Sequence, residues 1–425
     1  MSDFMNGINT AQLIVSAVVI VTILHVMLGA CAYFILLERK VCAWVQDRLG
    51  PNRVGPLGLL QPIADGLKLF FKEDFFPRGA DRTLFLLAPG LAVIPAFIGF
   101  AIIPWAGALD LSTIPLLGLD RAYVNIQGSA ANIGIIYLIA TGSLGVYGIV
   151  LGGWASNNKY SFLGSLRASA QMVSYEIPMG LCILIVILSV GSVQPGEIVR
   201  AQVEGQWLLL HQPLVAILFY ICLLAEANRT PFDLAESESE LVGGWHTEYS
   251  SMKWAMFFLA EYAHLFVGAA FFSVLFLGGW SINPFTGHDL ALQGGLPLIL
   301  AQVAVMFGKV FLIVFLTMLV RWTLPRFRFD QLMRVAWEGM IPATLLFLFV
   351  TSMFVYFGWQ PYMWIASLLG LVIVWVVHPF MPRQANPNHR IPMIGSRFSP
   401  ARDADVVTAP TEPLALADEA LPNIS

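Results

Sequence analysis

Between Glu226 and Glu248 the chain reads EANRTPFDLAESESELVGGWHTE: six carboxylates (Glu226, Asp233, Glu236, Glu238, Glu240 and Glu248) and one base, Arg229, between apolar runs. An acidic segment in that setting is costly unless water, cations or protons attend it. Glu236 and Glu240 are four apart, so in a helix they share a face and repel. Carboxylates crowded into a partly dry site titrate as coupled groups and can hold a proton at neutral pH. A solvated loop is the usual fate of a charge run. Here, however, Pro231, Phe232, Leu234, Leu241, Val242 and Trp245 are interleaved with the acids and favour burial. The chemistry this stretch suits is proton holding.

Other ionisable residues fall in or beside apolar runs, where they are functional candidates by default. Glu176, in SLRASAQMVSYEIPMG, lies near the inner end of its run, and Pro178 would loosen the backbone beside it; the plainer reading is an interfacial residue. Glu261 and His264, in FFLAEYAHLF, are three apart and share a helix face. They suit a protonatable pair facing an internal cavity, or an internally paired structural Glu–His. Lys309, in VMFGKVFLIV, lies deeper still and requires a carboxylate partner, water or loss of its proton; proton transfer and helix pairing both fit it. Glu38 and Arg39 close the first run, where either alone reads as an interfacial anchor, and His25 reads as a hydrogen-bonded structural histidine.

The elements that must position these residues follow from composition. The 425 residues are 57% hydrophobic and 12% charged, about half the charge of a soluble domain. This is the composition of an all-α polytopic membrane protein. A bilayer core takes roughly 20 apolar residues per helix, and nine candidates are present: Gln12–Leu37, Leu84–Trp105, Ala130–Gly152, Ala170–Val193, Trp207–Ala225, Trp254–Trp280, Leu296–Val320, Gly339–Gly358 and Pro361–Met381. The fifth is the shortest. Pro89 and Pro95 in the second and Pro178 in the fourth predict kinks.

With the N-terminus outside, 20 of the 23 Lys and Arg fall in inner segments, leaving Arg121 and Arg200 outside and Lys309 within a span. That asymmetry predicts a cytoplasmic acidic stretch and, with nine spans, a cytoplasmic C-terminus. The first inner loop, 38–83, begins with a turn-rich Gly/Pro segment. Its second half, LLQPIADGLKLFFKEDFFPRG, reads as a short amphipathic helix in the interface plane, with Asp65 and Lys68 on one side. A surface helix packed on the bundle is the alternative. The four cysteines (Cys31, Cys42, Cys182, Cys222) show no CxxC pairing and argue against a zinc site, an iron–sulfur site or a disulfide framework. The first apolar run lacks signal-peptide features and reads as a retained span. The Pro- and Ala-rich segment 382–425 reads as a disordered tail.

Four segments carry a resemblance: ERKVCAWVQDRLGPNRVGPLGLLQPIADGLKLFFKED, ASAQMVSYEIPMG, LAEANRTPFDLAESESELVGGWHTEYSSMKWAMFFLAEY and KVFLIVFLTMLVRWTLPRFRFDQLM. Over roughly residues 10–358 the chain resembles the H-subunit family of respiratory complex I, the proton-pumping NADH:quinone oxidoreductase. The resemblance implies an eight-helix core that forms much of the quinone-access channel and starts a charged path into the membrane arm. It places Asp65, Glu226, Arg229, Asp233, Glu236, Glu238, Glu240 and Glu248 at the chamber and its inner loop. Glu176 and Glu261 fall on the connection inward, and Glu38 and Arg39 near the quinone entrance. It implies a quinone substrate (ubiquinone or menaquinone), with NADH, FMN and iron–sulfur sites on other subunits, and no complete catalytic or metal site here. The expected partners are peripheral-arm quinone-site subunits, adjacent small membrane-arm subunits and lipid, not nucleic acid; the expected place is a bacterial inner membrane. The related component of membrane-bound hydrogenases is the nearest competitor, though the full NRTPFDLAESESELVGG run favours the quinone enzyme. A cation- or proton-coupled carrier would show inverted repeats and paired broken helices. The ninth span and tail depart from the family, and the resemblance assigns them no role.

Overall fold

The computed structural model describes residues 10–110, 123–235, 241–285 and 290–377. Long apolar helices dominate them, separated by the prolines, glycines and caps that the sequence supplies. They are α1 Thr10–Val45, α2 Gln61–Phe71, α3 Arg82–Ile98, α4 Gly134–Ala155, α5 Lys159–Val190, α6 Pro195–Glu204, α7 Leu208–His211, α8 Pro213–Glu226, α9 Ser251–Phe276, α10 Leu296–Thr323, α11 Phe329–Tyr356 and α12 Met363–Val377. Within α11, Val335–Met340 is π-helical. Seven of these, α1, α3, α4, α5, α9, α10 and α11, are long and apolar enough to cross a membrane. The chain is an all-α polytopic membrane protein. A three-stranded sheet, β1 Ala108–Asp110 between β2 Tyr123–Asn125 and β3 Gln293–Gly294, ties together loops at the end of the bundle that lacks most of the basic residues.

Local chemistry sets the helix ends. Asp81 caps α3, its carboxylate accepting from the backbone of Thr83 (3.0 Å) and Leu84 (3.2 Å). Asn158 caps α5 by accepting from the Tyr160 amide at 2.9 Å. Gly191, at φ 79°, stops α5 in the left-handed conformation that glycine adopts without a Cβ penalty. The expected fourth span therefore begins eleven residues earlier than its hydropathy suggests, at Lys159 instead of Ala170. This moves Glu176 from near a helix end to the middle of a 32-residue helix. The expected fifth span is likewise revised. Pro213 has no amide hydrogen to continue α7, so the chain breaks at Gln212 and leaves the 14-residue α8. At 1.5 Å per residue α8 is only about 21 Å long, shorter than the seven long helices.

Helix α9 is the hub. It packs against α1, α2, α3, α6, α7, α8 and α10, and it is buried nearly all round, whereas α1 stands at the periphery. Helices α3 and α4 approach backbone to backbone. A Cβ on Gly148 would lie 2.6 Å from the Ala92 amide nitrogen, so close packing there requires glycine. The amphipathic α2 lies where the first loop was expected to carry it, with Ile63, Leu67, Phe70 and Phe71 exposed along it. The first compact unit runs from Met1 to Leu371; of the second, Val372–Ser425, only the last turns of α12 are described. The expected tail, like Glu236, Glu238 and Glu240, lies outside the described residues.

Candidate functional site

Three helices and the loop after α8 deliver charged side chains to one buried point. Glu38, near the end of α1, is 7% exposed. Its carboxylate accepts a hydrogen bond from the Tyr262 hydroxyl of α9 at 2.5 Å. It pairs with Arg229, which follows α8, at 3.5 Å, and with Arg321 near the end of α10. Arg229 in turn lies 4.0 Å from Glu261 and 4.2 Å from the centroid of the Tyr262 ring. Two acids and two bases thus offset one another. That balance matters, because an uncompensated buried charge costs several kcal/mol.

The loop that carries Arg229 is held from α5. The Gln171 side-chain amide donates to the carbonyls of Ala225 (2.8 Å) and Phe232 (2.8 Å) and reaches the Asn228 side-chain oxygen (3.1 Å). Asn228 takes a positive φ of 48°, a conformation Asn tolerates better than most residues. The turn directs Arg229 back into the bundle.

Beside this cluster lies an apolar cleft of about 200 Å³ between α1, α2 and α9, lined by Ala32, Ile35, Pro62, Leu69, Leu259 and Tyr262 among others. Asp65 sits on its rim and accepts from Arg39 at 2.7 Å and from Gln61 at 3.1 Å. The adjacent pair Glu38 and Arg39 therefore separates: Glu38 turns into the bundle and Arg39 ties α1 to α2. Tyr262 lines the cleft and also bonds the buried acid.

On the other side of Glu261, two small cavities of about 20 and 40 Å³ meet at Glu226 and His264; Glu261 and Asn228 line the smaller, Thr141 and Gly142 the larger. Glu226 Oε1 lies 3.3 Å from where a Cβ on Gly142 would stand. One residue on, the Ser143 hydroxyl donates to Glu176. Adjacent positions of α4 thus meet Glu226 and Glu176. The expected pair of Glu261 and His264 does face an internal cavity.

Other expected residues disperse. Asp233 pairs with Arg326 at 3.0 Å, and Glu248 accepts from Asn158 at 2.6 Å beside the α5 cap. Lys309 lies at the opposite end of the bundle, donating to the carbonyls of Leu277, Gly279 (2.8 Å) and Ser281 (2.5 Å) over the Trp207 ring. That arrangement ties α10 to the segment that follows α9. Two members of the cluster escaped the sequence reading. Tyr262 adjoins Glu261, and Arg321, one residue past the apolar run of α10, entered only as a topological charge.

The NADH dehydrogenase family model matches residues 18–352. Among curated relatives, an H subunit of NADH-quinone oxidoreductase from Geobacter sulfurreducens is 48% identical over 342 residues, 80% of this chain and 94% of that protein. Its namesake from Cytophaga hutchinsonii is 44% identical over 340 residues, covering 80% and 96%. This chain belongs to the H-subunit family of NADH-quinone oxidoreductase. The corresponding protein of Rhodospirillum rubrum is 44% identical over 354 residues, 83% of this chain and 97% of that protein. Every residue of the buried cluster falls inside the matched range, and α12 falls beyond it.

Proposed function

We propose that this chain lines the quinone-access chamber of a proton-pumping NADH:quinone oxidoreductase and couples quinone reduction to proton translocation through its carboxylates. It does so as a non-autonomous subunit, with NADH, FMN and iron–sulfur centres on partner subunits of the peripheral arm. The observation that carries this reading is the junction at Tyr262: one side of its ring faces an apolar cleft and its hydroxyl engages the buried Glu38. The cleft's lining suits an isoprenoid tail. Arg229 and Arg321 supply positive charge where a reduced quinone would need it.

Quinone reduction takes up two electrons and two protons, and the negative charge on the way must be offset. An anion near Arg229 would compete with Glu38 and Glu261 for its guanidinium. Glu261, losing part of that attraction, would more readily accept a proton, and Glu226 and Glu176 lie next along the bundle. The basic loops at this end support a place on the cytoplasmic side of a bacterial inner membrane, with α2 in the interface plane and its exposed Ile63, Leu67, Phe70 and Phe71 toward lipid or a neighbouring subunit. Glu236, Glu238 and Glu240 belong by sequence to the same inner loop and add to its acid content.

The test is Glu261→Gln in sealed inverted vesicles. Expected is a loss of quinone reduction and of coupled proton uptake, with NADH oxidation by an artificial acceptor retained. Normal pumping by that variant would end the proton role of these carboxylates.

A further inference from the structure

A histidine with an unusual seat shares the smaller cavity with Glu261 and Glu226. His264 lines both small cavities, as Glu226 and Ala227 do, and Glu261 lines the smaller of the two. Against its edge lies Gly145 of α4, which lines the smaller cavity. A Cβ built there would stand 3.0 Å from Nε2 and 3.4 Å from Cε1 of the ring. An alanine methyl would therefore press on the nitrogen-bearing edge of the imidazole. The cavities are of water size, since one water needs roughly 10–15 Å³.

We propose that His264 relays protons between the two cavities and that Gly145 is the positioning residue that leaves its ring room to turn. The inference rests on the carboxylate reading above and adds a route to it. A protonated Glu261 gives its proton, through water, to one imidazole nitrogen. The other nitrogen releases its own proton to the Glu226 carboxylate. Glu261 ends ionised, Glu226 ends protonated, and the imidazole remains neutral as the opposite tautomer. One proton has moved and no electron has. Before a second transfer in the same direction the ring must turn over, and the notch at Gly145 is what permits it.

The experiment compares His264→Asn, Gly145→Ala and the double variant in the intact complex, in sealed inverted vesicles, with Glu261→Gln as a reference. NADH oxidation by an artificial acceptor reports the amount of assembled enzyme. Both single variants should lower quinone-reductase kcat on the order of tenfold. That is less than the full worth of a positioned acid–base group, because water still joins the cavities. Quinone KM should stay unchanged, the solvent deuterium isotope effect should rise, and the proton-to-electron ratio should fall. Because Asn is shorter than His, the alanine methyl should cost nothing more in the His264→Asn background. Parental kcat in His264→Asn, which introduces no clash, overturns the relay. An additive loss in the double variant overturns the role given to Gly145. If Glu261→Gln itself pumps normally, the carboxylate reading falls and the relay falls with it; if only Glu261→Gln is impaired, the relay alone is wrong.

Discussion

The Tyr262 hydroxyl donates to Glu38 at 2.5 Å while the Tyr262 ring carries the Arg229 guanidinium 4.2 Å from its centroid. One side chain thus positions both members of a buried ion pair whose residues lie 191 positions apart. Tyr262→Phe keeps the ring and removes the bond. A hydrogen bond to a charged group contributes about 1.5–3 kcal/mol, so the variant complex should assemble, unfold at lower temperature and reduce quinone more slowly. A thermal-shift measurement beside the quinone-reductase rate checks both effects. Unchanged values in each would mean that Glu38 is held without Tyr262.

Glu38 faces two guanidinium groups, and neutralising it should be the more damaging change. Glu38→Gln leaves Arg229 and Arg321 with Glu261 as the remaining acid of the cluster. Breaking a buried pair from one side costs about 3–5 kcal/mol. The expected outcome is a marked fall in assembled complex, read as artificial-acceptor activity per membrane protein. Adding Arg321→Gln restores the charge balance and should recover part of the assembly. No recovery in the double variant would show that the cluster is held together by something other than charge balance.

Much of this arrangement was legible from the sequence, and the parts that were not have physical reasons. Hydropathy alone found the apolar runs, and the three-residue spacing of Glu261 and His264 correctly placed them on one face. Hydropathy missed the true start of α5, because the segment after Asn158 is polar and small; the cap at Asn158 marked that start instead. It also ran through Pro213, where the missing amide hydrogen divides the fifth run. Glu38 looked like an interfacial anchor because its partners are remote: Arg321 lies 283 residues away, and no local pattern encodes that pairing. The acidic stretch appeared to be one cluster. Among the described residues, Glu226, Asp233 and Glu248 have separate surroundings, since the turns after α8 send each toward a different helix.

Lys309 gives a prediction of the opposite kind. Its ammonium gathers the carbonyls of Leu277, Gly279 and Ser281, the first at the C-cap of α9 and the others in the segment that follows it. Lys309→Met should cost assembly, as loosened carbonyls lose a charged donor worth about 1.5–3 kcal/mol. The complexes that do assemble should pump with a parental proton-to-electron ratio. Measuring that ratio per assembled enzyme decides the matter, and a lowered ratio would return Lys309 to the proton path.

The cleft itself can be tested without touching a charge. Gly66 of α2 lines it, and a Cβ at Gly66 would meet nothing within 4 Å. Gly66→Leu should therefore fold without strain, and replacing a helical glycine adds up to about 1 kcal/mol of helix stability. The new side chain would occupy part of the roughly 200 Å³ between α1, α2 and α9. If an isoprenoid tail passes there, KM for a long-tailed quinone rises several-fold on the arithmetic that about 1.4 kcal/mol is a tenfold change in affinity. A quinone with one isoprene unit should be reduced with nearly parental KM, because its tail does not reach the obstruction. Equal changes for both substrates would remove the cleft from the quinone's route while leaving the buried Glu38 cluster untouched.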